Sequence, residues 1–259
     1  INNLQNQEHL VKQLEGLEKR NHIQELDKYE QRQHLAVDQY LATNGNNRLL
    51  VTLSHTEKHV LNASVRNELK QTGALKGQGE SLTILRPLYM SVEEKSLPHL
   101  YQPGDNIRFN RAFANGAIVK DSYFEVDKVY LGTGHIQLKN ENGSVLWQLT
   151  QEKTRLKHIE LYRQEPRELQ EGDIICWTRT IKNEAKELDR IKGETAIVTA
   201  VYKDTASVKL QNGTDAVLKN NDLKQQHWDY GYAVHLKEAD NNKEVVVSLQ
   251  HKQMDAKNI

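Results

Sequence analysis

The sequence predicts a mixed chain, an α/β layer with a parallel sheet at its start followed by two small antiparallel β modules. Three observations carry this reading. The first third alternates segments of helical period with short apolar runs. One of those runs, Leu49-Leu50-Val51-Thr52-Leu53, is apolar almost throughout, as strands buried on both faces of a parallel sheet are. Most of the remaining sequence alternates apolar and polar residues between Gly and Asn-Gly turns, the pattern of bent antiparallel sheet, and that pattern occurs twice.

In order, Leu4, Leu10, Leu14 and Leu17 recur at helical spacing, and a short strand is expected over 22–26. Asp27 with Glu30 three residues later is a capping signature for a second helix. That helix turns Leu35, Tyr40 and Leu41 to a core and stops at Asn44-Gly45-Asn46-Asn47. After the apolar strand, Ser54 with Glu57 caps a third helix that carries Val60, Leu61, Val65 and Leu69 and ends near Gly73. His55 and His59 lie one turn apart on it and could face one metal. No third ligand is near in sequence, so surface or cap histidines are the reading, with no metal expected. Gly77-Gln78-Gly79 follows a helix and lacks the Lys-Ser/Thr of a phosphate loop, so a plain loop is expected there.

Segments 96–165 and 166–228 align. With Gly104-Asp105 set on Gly172-Asp173, Ile107 meets Ile175, Phe109 meets Trp177, Asn110 meets Thr178 and Arg111 meets Arg179. Further on, Val126 and Val129 match Val198 and Val201, while Ile136 and Leu138 match Val208 and Leu210. A sheet this small buries little on one face, so each copy is expected to close into an SH3-like barrel. Each also sets an aromatic and an arginine two apart, hence on one face of a strand. Such a pair suits a single strand, whose bases stack and whose phosphates meet Arg. Barrel core is the reading placed first for Phe109 and Trp177. For Arg111, Arg179 and the Lys182, Lys186, Lys192 excursion, nucleic-acid contact and plain solvation stand level. Arg108, Trp228 and His235 complete the expected nucleic-acid-binding set.

The 259 residues suit two or three modest domains, assigned as 1–95, 96–165, 166–228 and 229–259. Basic and acidic residues balance at 35 each, which leaves room for a basic face offset elsewhere. The single cysteine, Cys176, excludes an internal disulfide and fits a reducing cytoplasm. No apolar run reaches membrane-spanning length and no signal pattern opens the chain, so no membrane insertion is expected. A start at Ile1 and a polar end, 251–259, suggest a piece of a longer protein.

His227-Trp228-Asp229-Tyr230-Gly231-Tyr232-Ala233-Val234 resembles the "HxDxxYAxT…QG" segment that carries motif V of RecD-like superfamily 1 helicases, above all those of conjugative relaxase–helicases of the TraI/TrwC family. The stretch 52–66 resembles that family's motif IV, with Leu61-Asn62 and Val65-Arg66 at the "LN…IR" positions. The Gly-Asp-x-hydrophobic strand openings resemble the 2B insertion, accompanied in some members by a 2B-like module. The resemblance implies a partial RecA-like 2A domain with two inserted SH3-like modules. Departures from it are specific. Lys58 stands where the family has a nucleotide-reaching arginine, His235 where it has Thr, and Asp240-Asn241 fall where it has Gln-Gly. Walker A, Walker B and motif VI have no counterpart, so the chain is expected to need no cofactor, ATP and Mg belonging to an intact helicase unit.

The resemblance implies a non-catalytic part of a conjugative relaxase that binds single-stranded DNA and acts as a translocation signal. Its partner would be the coupling protein of a type IV secretion system, with the protein cytoplasmic in the donor and translocated to the recipient, and no small-molecule substrate. Two alternatives stay open: part of an active RecD-like 5'–3' helicase whose ATPase motifs lie elsewhere, and a scaffold whose barrels bind only protein.

Overall fold

The computed structural model describes residues 18–19, 23–43, 48–113, 116–149, 153–182, 188–236 and 244–248. The chain divides into two compact units, Ile1–Ala74 with Gly231–Ile259, and Leu75–Tyr230. The expected helix over 4–17 and the turn 44–47 lie outside the described residues.

The first unit is α/β. Helix α1 spans Tyr29–Ala42, strand β1 Arg48–Thr52 and helix α2 His55–Gln71. Two later strands, β15 (Ala233–His235) and β16 (Glu244–Ser248), flank β1, and both run parallel to it. A central parallel strand has a helix or a sheet neighbour on every side, which is why Leu49, Leu50 and Val51 are all buried. Ser54 caps α2 as expected, its hydroxyl accepting from the Glu57 amide at 3.4 Å. Two local expectations fail. Residues 23–26 form no strand, and α1 starts after Lys28, whose side chain makes no cap; Asp27 does not cap the helix. The opening is held instead by Arg32, which donates to the Leu26 carbonyl at 2.7 Å. At the other end Arg48 donates to the carbonyls of Tyr40 and Thr43 at 3.1 and 3.0 Å, neutralising the negative end of α1.

The second unit is antiparallel. It contains β2 (Lys76–Leu88), a short helix α3 (Val92–Lys95), β3 (Asn106–Phe109), β4 (Tyr123–Tyr130), β5 (His135–Asn140), β6 (Gly143–Gln148), a one-turn helix α4 (Lys153–Leu156) and β7 (Ile159–Glu171). β8 (Ile174–Trp177), the hairpin β9 (Ile181–Lys182) and β10 (Leu188–Arg190), β11 (Thr195–Tyr202), β12 (Thr205–Leu210), β13 (Asp215–Lys219) and β14 (Trp228–Tyr230) complete it. Apart from the β9–β10 hairpin they form a six-stranded sheet, β2-β7-β3-β4-β5-β6, and a five-stranded sheet, β13-β12-β11-β8-β14. The stretch 75–95 therefore belongs to the β unit and not to the α/β segment assigned from sequence, because β2 pairs along β7. Gly77 and Gly79, expected in a loop, lie in β2, and a Cβ at Gly79 would meet the Glu168 carboxylate.

The two copies share their hydrogen bonds as well as their sequence pattern. The Gly104 amide donates to Val126 O and the Gly172 amide to Val198 O, both at 2.9 Å. Asp105 and Asp173 each accept from the amide three residues earlier, Gln102 at 3.0 Å and Gln170 at 2.7 Å. A bulge falls after Val126 in one copy and after Val198 in the other. The later part of the alignment needs a correction. Val126 pairs with Leu138 and Val198 with Val208, so Leu138 corresponds to Val208, and Ile136 to Ala206. The cause is the hairpin turn, residues 131–134 in the first copy but only 203–204 in the second. A shift of two preserves which face is buried, so the alternation alone could not reveal it.

Neither copy closes into a barrel among the described residues. A small sheet must find cover for its apolar face, and here the long β2–β7 ribbon supplies it in place of closure. The near end of the ribbon joins the first sheet, and its far half puts Leu82, Ile84 and Leu169 into the core of the second, against Trp177, Val198 and Trp228. Gly104 holds φ at +90°, and a methyl group added there would meet no atom within 4 Å, so Gly104→Ala tests backbone strain alone. It is expected to cost about 1–2 kcal/mol in thermal unfolding; an unchanged melting curve would show that this turn is not needed.

Candidate functional site at the joint of the two β modules

Where the two β modules meet, charged and aromatic side chains from both converge on one carboxylate, Glu160 of β7. The pleat explains the selection. On β7, Ile159 and Leu161 turn into the first core, while Glu160 faces the other way. Oε2 of Glu160 accepts from Tyr162 Oη at 2.7 Å, from Arg108 Nη1 at 3.3 Å and from Arg179 Nη1. Its Oε1 accepts from Asn110 Nδ2 at 3.2 Å. Arg108 also reaches Asp121 and the Asn110 side-chain oxygen, and Arg179 donates to Tyr162 Oη at 3.2 Å. The four charges, two guanidiniums and two carboxylates, balance.

His227 lies beneath this cluster. Its Nε2 is 2.6 Å from Tyr123 Oη, its ring packs edge-on against Tyr162 with centroids 4.8 Å apart, and its Nδ1 meets no protein partner. Burial, with Arg179 adding to it, pushes the imidazole down to about 3, although Glu160 pulls the other way. His227 is neutral at physiological pH. Burial likewise pushes the Tyr123 hydroxyl up to about 12 and raises that of Tyr162, to which Glu160 adds. For Glu160 burial acts upward, but the Tyr162 hydroxyl, Arg179, Arg108 and Asn110 outweigh it and hold the carboxyl below its ordinary range. The cluster is thus an ionised carboxylate in a cradle of donors, over a neutral imidazole.

The expected nucleic-acid-binding residues separate into three groups. Trp177 and Trp228, both 1 % exposed, are cross-strand neighbours in the second core, so neither ring is presented to a base; Phe109 is buried in the first. The core reading therefore describes all three rings. Arg108 and Arg179 are drawn together by Glu160, and so do not stand out from the surface as expected. Arg111, aligned with Arg179, is exposed, as is Lys192. Lys182 is in β9, and Lys186 lies outside the described residues.

In the first unit Asn62 joins α2 to β15, donating to Ala233 O at 3.0 Å and accepting from its amide at 2.9 Å. Lys58 and Arg66 are buried on the same helix. His235 stacks on His55 with centroids 4.6 Å apart, its Nε2 3.1 Å from Leu53 O. The carboxylate of Glu57, buried at the carboxyl ends of β1 and β16, accepts from Thr52 and from Ser248 Oγ, the latter at 2.8 Å. Asp240 and Asn241 lie outside the described residues. Among the described residues no three His, Cys, Asp or Glu side chains group to hold a metal ion, and no helix is long and apolar enough to cross a membrane.

Sequence reasoning does not single out Glu160, Tyr123, Tyr162 or Asn110 as site residues. The usable signal is Glu160 itself, a carboxylate between two apolar residues, but it counts only once the strand that carries it is recognised.

No family model matches the chain, and no curated protein matches it. Among solved structures it is similar to the crystal structure of Bacteroides sp Pif1 in complex with ADP-AlF4, at 11% identity over 90% of this chain and 41% of that one, with a TM-score of 0.34. The chain thus spans less than half of that protein's length.

Proposed function

We propose that the chain is a non-catalytic segment of a helicase-related protein, of the conjugative relaxase–helicase kind, that binds single-stranded DNA. One observation supports this above the rest. A central parallel strand, β1, is flanked by two strands that come after a long antiparallel insertion in the chain, and that insertion is a duplicated β module. This is the order the resemblance to 2A with 2B and 2B-like insertions implies. The motif-like residues Asn62 and Ala233 also bond to each other within the α/β unit. In this reading the exposed Arg111 contacts phosphate, while Trp177 and Trp228 serve the core. The same region serves as a translocation signal read by the coupling protein of a type IV secretion system.

The chain is expected to bind a fluorescent oligo-dT with an affinity that falls linearly in log salt. Arg111→Ala should weaken binding several-fold and lower the salt slope by about one. Absence of binding at low salt would overturn the DNA half. The signal half is tested separately, by fusing the chain to a reporter and scoring transfer into recipient cells; no transfer would overturn it.

A further inference from the structure

We propose that Arg108, Arg179, Tyr162 and Asn110 form an oxyanion cradle that Glu160 fills from within, and that a phosphate of a nucleic-acid strand enters the cradle when Glu160 swings out. The inference rests on the DNA-binding reading and names a site for it that neither arginine's exposure suggests. A carboxylate oxygen has two lone pairs, so two donors satisfy it. Here two guanidiniums and a phenol converge on one oxygen, Oε2, and an amide takes the other. Both arginines carry planar forks suited to tetrahedral oxyanions. They come from different modules, Arg108 from β3 and Arg179 from the segment after β8, so the cradle exists only where the copies meet.

Of the three charged groups that meet at Oε2, the occupant is the most open to water. The Glu160 side chain is 37% exposed, against 9% for Arg108 and 20% for Arg179. Glu160 can therefore leave into solvent while the donors stay in place, Arg108 held by Asp121 and Arg179 by the Tyr162 hydroxyl. A phosphodiester carries the same single negative charge as the carboxylate it replaces, so the exchange leaves the charge balance of the joint unchanged. The neutral His227 underneath adds no cation. Binding is thus a competition between one internal and one external anion, and removing the internal one must strengthen it.

The test measures oligo-dT by fluorescence anisotropy and inorganic phosphate by calorimetry for the wild type, Glu160→Ala, and Glu160→Ala with Arg179→Ala. Glu141→Gln, on the exposed β5–β6 turn, controls for the change in net charge. Glu160→Ala is expected to bind oligo-dT about tenfold more tightly, with a steeper salt slope. The second substitution should abolish the gain, and Glu141→Gln should change binding less than twofold. If the wild type binds but Glu160→Ala gains no more than Glu141→Gln, the cradle is overturned and the DNA reading stands. If Glu160→Ala takes up phosphate while no variant binds oligo-dT, the cradle stands and the DNA reading falls. If neither probe binds any variant, both fall. Should Glu160→Ala lose its circular-dichroism signature, Glu160→Gln, which keeps the side-chain shape, carries the same comparison.

Discussion

Replacing Trp177 with alanine is expected to destabilise the β unit by about 3–5 kcal/mol, the usual cost of deleting a fully buried tryptophan. The ring is cross-strand from Trp228 and packs against Leu82 and Ile84 of the ribbon strand, so two elements, β14 and β2, lose a shared neighbour at once. It also carries the Arg190 guanidinium 4.7 Å from its centroid, a buried cation that the cavity would leave with one face uncovered. Urea unfolding followed by circular dichroism measures the effect. Trp177→Phe should cost far less, roughly 1–2 kcal/mol, since phenylalanine fills the equivalent place, Phe109, in the first module. A Trp177→Ala protein of undiminished stability that had lost oligonucleotide binding would mean the ring faces a strand after all.

Acidification should produce the second large effect, through His227. Its folded-state value, about 3, lies below the ordinary 6.5, so from pH 6.5 downward the unfolded chain takes up a proton that the folded chain refuses. Stability from this group is full above pH 6.5 and falls by about 1.4 kcal/mol per pH unit below it. Between pH 6.5 and 4.5 the loss is roughly 2–3 kcal/mol. Below about 4.5 Glu160, also held below its ordinary value, adds a loss of the same sign, so the upper window isolates the histidine. The measurement compares unfolding free energies of the wild type and His227→Phe at several pH values. The wild type should lose stability more steeply; parallel curves would show that His227 is protonated in the folded protein.

Several elements are legible because they depend on near neighbours in sequence. The apolar run 49–53 forms β1, Ser54 caps the helix after it, and Thr195–Tyr202 is a strand with the ends its alternation marks. The duplication is legible too, since Gly104-Asp105 and Gly172-Asp173 require the same turn. What escapes is the pair of longest strands. β7 contains Pro166, and β2 contains Gly77, Gly79 and Pro87, residues that count against a strand. Both prolines are tolerable here. β2 is a sheet edge, so Pro87 needs no donor on its free side, and β7 beyond Arg163 pairs with β2 alone. Without the ribbon, closed barrels are the natural expectation, because nothing else is available to cover the second core.

The site divides in the same way. Sequence alone determined that an aromatic and an arginine stand two apart at corresponding places in the two modules. The expected shared strand face does not hold, because the strands end at Phe109 and Trp177 and the pleat does not set the direction of Arg111 or Arg179. Sequence could not determine which face is the core, since a face is buried only by what lies across it. For Trp177 that is Leu82 and Ile84, nearly a hundred residues earlier in the chain. Nor could it show that Arg179 and Arg108 meet, because Glu160, which draws them together, lies on a strand hidden by its proline. Composition, turns and alternation are local and survive in the sequence. The pairing of two arginines from different modules around one carboxylate is a product of the tertiary fold, where the Coulomb attraction and the desolvation of all three groups are decided together.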